Sequence, residues 1–272
     1  MLLSIPKILI WFRFRALVFK RIETKKSIIL LGNGPSLAED IDLVVSSKPT
    51  AALMALNNFA TTSLFSKLQP EYYMLQAPEL WQDDVSEELS QYQESIIAAL
   101  QNDTTWPMQI FMPFFARKQK VTARLKKNPN LQVVFFNQIP IEGPRWFTKR
   151  LWEWKWGGPR IHNTLVACLL ISFHLRFRTV FLCGADHSWH ETILFDESGH
   201  LRNNYSHFYA PAQGRKVIKF DGTPFLLHEF FRKLYLTFKG YHDLAWFAKY
   251  KGVQVFNMSS KSYIDAFPKK KP

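Results

Sequence analysis

An apolar run, Ser27-Ile28-Ile29-Leu30-Leu31, leads straight into Gly32-Asn33-Gly34-Pro35-Ser36-Leu37, and that junction carries residue types suited to holding a nucleotide. A short apolar run predicts a buried parallel strand, and a glycine-rich turn at its carboxyl end lets backbone N–H groups approach a phosphate. Asn33 adds a side-chain amide at the same spot, and Pro35-Ser36 suits a helix start. The stretch lacks the third glycine of a dinucleotide fingerprint and the lysine of a P-loop, so a structural turn is the competing reading. A second apolar run, 50–56, ends in Asn57-Asn58, and a third, Thr179-Val180-Phe181-Leu182-Cys183, ends in Gly184-Ala185-Asp186. Carboxyl ends of parallel strands share one edge of a sheet, so Asn33, Asn57 or Asn58 and Asp186 are expected to face one ligand. Asparagine is also an ordinary turn residue.

The elements that must position these groups follow from periodicity. Strands are expected near 72–75, 110–112, 133–137 and 253–256, and helices over 85–101, 163–175 and 224–251. Residues 140–159 are rich in tryptophan and basic side chains without a clean period, which predicts a loop or irregular helix. Residues 188–222 carry His, Asn and Tyr without a long apolar run and read as a lid-like excursion. The predicted fold class is α/β: a single Rossmann-like domain over 27–267 with a mainly parallel sheet flanked by helices. A basic aromatic segment (1–26) precedes it and a basic tail (268–272) follows.

Charge placement narrows the partners. The formal net charge is +13, and residues 1–26 hold seven basic side chains against Glu23 alone, with Lys269, Lys270 and Lys271 at the other end. Basic termini beside Trp11, Phe12, Phe14 and Phe19 suit an anionic lipid surface, whereas a nucleic-acid groove needs basic residues spread over the folded body. The run Ile8–Phe12 is far too short to span a bilayer, and no cleavage site of a signal peptide is evident. Aromatic residues make up 15% of the chain, which suits a membrane surface, a sugar-binding cleft or an aromatic core. Cys168 and Cys183 lie in apolar runs with no C-x-x-C and fit buried, reduced thiols. A peripheral position on the inner face of a bacterial inner membrane is the expectation.

Together the ordered segments resemble the bacterial lipooligosaccharide sialyltransferases, glycosyltransferase family 42, and their DUF115-like relatives. The resemblance rests on Gly32-Asn33-Gly34-Pro35-Ser36-Leu37, Asn57-Asn58-Phe59, Gly184-Ala185-Asp186, Tyr205-Ser206-His207-Phe208-Tyr209 and the closing stretch from Asn257 to Ser262. It implies an inverting, metal-independent enzyme with no cofactor, using a CMP-activated nonulosonate as donor and a glycan or glycolipid as acceptor, and it adds a homo-oligomer. By the same resemblance, Gly32, Asn33, Gly34, Ser36, Asn57, Asn58, Thr164, Gly184 and Asp186 bind the donor nucleotide, and His207 is the general base. Imidazole titrates near working pH, which suits removal of a proton from an attacking sugar hydroxyl.

One departure stands out. The family places two tyrosines after the Asp of the G-x-D segment to hold the leaving phosphate, and here His187-Ser188-Trp189-His190-Glu191 follows instead. His187, Ser188 and His190 are the substitute donors expected in that place. His187-x-x-His190 also has the look of a metal pair, with no further ligand in support. Two other readings compete: a diphosphokinase-like nucleotide transferase, which would want an acidic Mg²⁺ cluster, and a non-catalytic membrane-peripheral binding protein.

Overall fold

The computed structural model describes residues 4–13, 19–210, 214–217 and 223–270. Seven strands form one parallel sheet: β1 (Ser27–Leu31), β2 (Ala51–Leu56), β3 (Tyr72–Met74), β4 (Met108–Pro113), β5 (Leu131–Phe136), β6 (Thr179–Cys183) and the last strand, β10 (Gln254–Asn257). Their spatial order is β10-β6-β1-β2-β3-β4-β5. The chain therefore steps outward from β1 to β5, then returns to the other side of β1. This reversal between β1 and β6 is the topological switch point where open α/β sheets form ligand crevices.

The strands read as near-continuous apolar runs because both faces are covered. Side chains alternate between two cores. Ile28, Leu30, Ala52, Met54 and Tyr72 pack on α1 (Ser4–Trp11), α6 (Arg145–Glu153), α7 (Thr164–His174) and α8 (Leu227–Lys251). Ile29, Leu31, Leu53, Ala55 and Tyr73 pack on α2 (Leu37–Ser47), α3 (Ser63–Leu68), α4 (Glu87–Asp103) and α5 (Lys120–Leu125). The α/β class expected from the sequence, a Rossmann-like parallel sheet flanked by helices, is the observed one.

Three local readings change. Residues 140–159 contain a regular helix, α6, which buries Thr148, Leu151 and Trp152. The excursion after β6 contains a small antiparallel sheet of β7 (Ile193–Phe195), β8 (Leu201–Asn203) and β9 (Arg215–Lys216). It rests on the start of α8 through Leu201, Phe230 and Leu234. The segment before β1 is tied to the domain: Ile8 is buried, and Phe12 and Phe19 pack on the same core. Residues 14–18, which include Phe14 and Arg15, lie outside the described residues. Cys168 and Cys183 are buried free thiols, and burial raises the pKa of both.

Candidate functional site

The glycine turn sits at the switch point, and its backbone is bound to the neighbouring strand end. Gly32 N–H donates to the Cys183 carbonyl (2.7 Å) and Gly34 N–H to the Gly184 carbonyl (2.9 Å). Ser36 donates to Asp186 twice, from its backbone N–H (3.1 Å) and its hydroxyl (2.6 Å). These three N–H groups hold β1 against β6. The same contacts explain the glycines, since a Cβ on Gly34 would lie 2.7 Å from the Gly184 carbonyl oxygen. They also shift the helix start. Ser36 turns its side chain to Asp186 instead of capping, and α2 begins at Leu37. Burial raises the Asp186 pKa, while the two Ser36 donors pull it back down.

The asparagines behave differently. Asn33 donates through Nδ2 to the Leu56 carbonyl (3.3 Å), which leaves its Oδ1 buried with no hydrogen-bond partner. Its backbone carbonyl accepts from Phe208 N–H (3.3 Å) and from His207 Nδ1 (3.2 Å). Asn57 sits at φ 52°, a left-handed conformation that asparagine tolerates well. Its Oδ1 lies 3.3 Å from the Thr164 hydroxyl, which is also 3.3 Å from Gln76 Oε1. That hydroxyl can donate to only one of the two oxygens at a time. Thr164 opens α7, where Asn163 caps the helix by accepting from Leu165 N–H (2.8 Å). Asn33, Asn57, Thr164 and His207 are thus linked along one sheet edge, with Gln76, two residues past the end of β3, as an added member.

His207 lines a cleft of about 890 Å³ together with Asn58, Glu79, Glu88, Lys233 and the aromatic rings of Tyr205, Tyr209 and Trp189. The imidazole is stacked on Tyr209 (5.1 Å between ring centroids) and meets Tyr205 edge-on (5.2 Å). The Tyr205 pKa is raised by burial first and by the Asp186 charge second, so its hydroxyl stays a donor. Lys233 reaches the cleft from α8, and desolvation lowers its pKa against the opposing pull of Glu79. A smaller cavity of about 180 Å³ adjoins through Trp189, Phe230 and Lys233 and reaches His162 and Asn163. Tyr205 lies well after Asp186 in the chain, so sequence spacing hid that its hydroxyl sits within the field of that carboxylate.

The three residues expected to stand in for the phosphate-binding tyrosines are not on the cleft wall. His187 is 3% exposed and packs against Trp189, Phe238 and Tyr241. Tyr241 O–H donates to Asn163 Oδ1 (3.3 Å), so the His187 Nε2–H donates to the Tyr241 oxygen (2.9 Å). Ser188 is buried, and the His190 ring packs edge-on against Tyr263. Desolvation depresses the His187 pKa to about 3. The unfolded chain, with an ordinary value near 6.5, therefore binds the proton first on acidification. Stability is expected to fall by at most about 1.4 kcal/mol per pH unit between roughly pH 6.5 and 3 from this residue. Urea unfolding midpoints of the wild type and His187→Gln across that window measure it, with a shallower pH slope expected in the variant.

Among the described residues, no group of three or more His, Cys, Asp or Glu side chains is placed to hold a metal ion. The sequence matches no protein-family model and no curated protein. Among solved structures, the chain is similar to the MAf glycosyltransferase from Magnetospirillum magneticum AMB-1, at 12% identity and a TM-score of 0.53 over 98% of this chain and 37% of that one. It is also similar to the sialyltransferase CST-II, solved in complex with a trisaccharide acceptor and CMP, at 14% identity and a TM-score of 0.46 over 91% and 86% of the two chains. The chain spans little more than a third of the MAf structure's length, and what the two share at this identity is the Rossmann-like α/β fold.

Proposed function

We propose that this chain is an inverting glycosyltransferase that moves a sialic acid or related nonulosonate, Kdo included, from a CMP-activated donor to a cell-surface glycan. The observation that carries the reading is the contact between His207 Nδ1 and the Asn33 carbonyl at 3.2 Å. A carbonyl only accepts, so Nδ1 keeps the proton and the neutral ring presents Nε2 as its basic nitrogen. That tautomer suits a general base on the cleft wall, fixed to the end of β1.

In the reaction, an acceptor hydroxyl attacks the anomeric carbon, its proton passes to His207 Nε2, and the bond from the anomeric carbon to the phosphate oxygen breaks. The electron pair leaves with CMP. Charge develops on the departing phosphate, and the hydroxyls of Tyr205 and Tyr209 with the Lys233 ammonium are the cleft groups suited to meet it. We assign to them the role expected of His187, Ser188 and His190, which do not line this cleft. The unpartnered Asn33 Oδ1 suits a ribose hydroxyl or the cytosine amino group, because a buried acceptor gains most from a donor it lacks. Asn58 lines the same cleft in its expected place beside the donor, and Glu79 and Glu88 there suit hydroxyls of the acceptor. The order of motifs along the chain and a fold shared with a glycosyltransferase support the assignment.

Thermal unfolding in EDTA with CMP, CDP, UMP or ATP tests it. CMP at a hundredfold over its dissociation constant is expected to add about 2.7 kcal/mol of stability. Asn33→Ala should lose that gain and His207→Ala should keep it. No response to CMP, with a Mg²⁺-dependent response to ATP, overturns the reading in favour of a diphosphokinase-like transferase.

A further inference from the structure

The first helix carries an apolar face that the fold leaves uncovered. In α1, Leu9 is 79% and Ile10 62% exposed, with Ile5 and Trp11 also open to solvent, while Ser4 and Ile8 face inward. The Trp11 ring meets Phe115 edge-on at 6.2 Å between centroids. Phe115 is itself exposed, in the turn Phe114–Lys118 that follows β4. A second anchor joins α1 to the same region: Arg13 N–H donates to Asn137 Oδ1, and Asn137 Nδ2 donates to the Arg13 carbonyl, each at 3.2 Å. Asn137 follows β5 directly. The apolar face therefore lies at the carboxyl edge of β4 and β5, the edge on which the cleft opens beyond β2 and β3.

Cations rim this face. The guanidinium groups of Arg13 and Arg117 lie over the Phe114 ring from 5.9 and 5.1 Å, and Lys118 is exposed beside them. None of the three makes an ion pair among the described residues. Contiguous exposed apolar side chains on a folded domain mark a binding surface. Tryptophan and aliphatic side chains ringed by arginine and lysine without an ion pair among the described residues match the headgroup region of an anionic bilayer: the rings and aliphatics enter the acyl boundary and the cations stay among the phosphates.

We infer that α1 and the Phe114–Lys118 turn form a single surface that docks on an anionic membrane and holds the cleft edge of the sheet close to it. A lipid-linked acceptor would then reach His207 without leaving the bilayer. The inference stands on this surface alone and does not depend on the donor chemistry.

Co-sedimentation of the full chain with vesicles tests it. Binding is expected to vesicles of phosphatidylcholine mixed with phosphatidylglycerol, weakened by salt, and not to phosphatidylcholine alone. The double variant Leu9→Glu/Ile10→Glu should lose at least about tenfold in affinity, and each of Arg13→Gln, Arg117→Gln and Lys118→Gln about fivefold. Leu194→Glu, on the exposed side of β7, should bind as the wild type does. Unchanged unfolding temperature and CMP response in the α1 variant would show that only docking was touched. Equal binding to both vesicle types, equal loss with Leu194→Glu, or a dimer that Leu9→Glu/Ile10→Glu splits without vesicle binding would overturn the inference, the last by making this face a contact between copies.

Discussion

His207→Ala is expected to lower kcat for sugar transfer by about 10²–10⁴-fold, equivalent to roughly 3–5 kcal/mol, while leaving CMP binding intact. In the proposed role His207 acts on the acceptor's proton and not on the nucleotide, so the loss is expected in kcat and not in the donor's KM. The imidazole is held by the Asn33 carbonyl through Nδ1 and by stacking on Tyr209, and it does not support the core. Folding should therefore be unaffected. His207→Asn, which keeps a donor to the carbonyl but has no basic nitrogen, should be as inactive as the alanine variant. Steady-state CMP release with a CMP-nonulosonate donor and a panel of glycan acceptors measures both. Wild-type kcat in either variant would remove His207 from the chemistry.

Gly184→Ala should be strongly destabilising, because it adds left-handed strain to a backbone clash at the switch point. Gly184 has φ +62°, and a Cβ there would sit 2.6 Å from the Gly32 carbonyl oxygen and 2.8 Å from the Leu37 Cβ. Left-handed strain in an ordinary residue costs about 1–2 kcal/mol, and forcing atoms into a packed site adds about 1–3 kcal/mol. The expected loss of about 2–5 kcal/mol is a large fraction of a typical domain's 5–15 kcal/mol. Chemical denaturation measures it directly. The same separation of β1 from β6 would disturb the Gly34–Gly184 bond and the Ser36–Asp186 pair. Asp186→Asn serves as the comparison: it keeps the shape, removes the charge and should cost less, because the Ser36 hydroxyl can still donate to the remaining amide oxygen.

These two variants divide the motif residues by role. His207 and Asn33 face a cleft or carry an unfilled acceptor, whereas Gly32, Gly34, Ser36, Gly184 and Asp186 satisfy one another. Glycine spacing reports only that backbones come close. It does not say whether the approaching group is a ligand or another strand end. The Asp186 carboxylate, set against the Ser36 N–H at the start of α2, fills the place an anion would take.

The sequence alone was sufficient for the parallel sheet, because doubly covered strands are uninterrupted apolar runs bounded by Gly, Asn and Pro. β6 matches its apolar run in both bounds, and β2 and β10 begin one residue inside theirs. Helix α6 was hidden because its aromatic and basic residues blur the apolar period, and the β7–β9 sheet because its strands are only two or three residues long. Among the site residues, the strand-end asparagines were legible from position: parallel strands place their carboxyl ends on one edge, whatever follows. What only tertiary structure decided was which polar groups are already spent. The burial of His187 on Tyr241, the pairing of the turn's N–H groups with the 183–186 segment, and the docking of His207 on the Asn33 carbonyl are all contacts between segments far apart in the chain. Local sequence carries no record of such pairings, because hydrogen-bond satisfaction is settled by the neighbour that folding brings into reach.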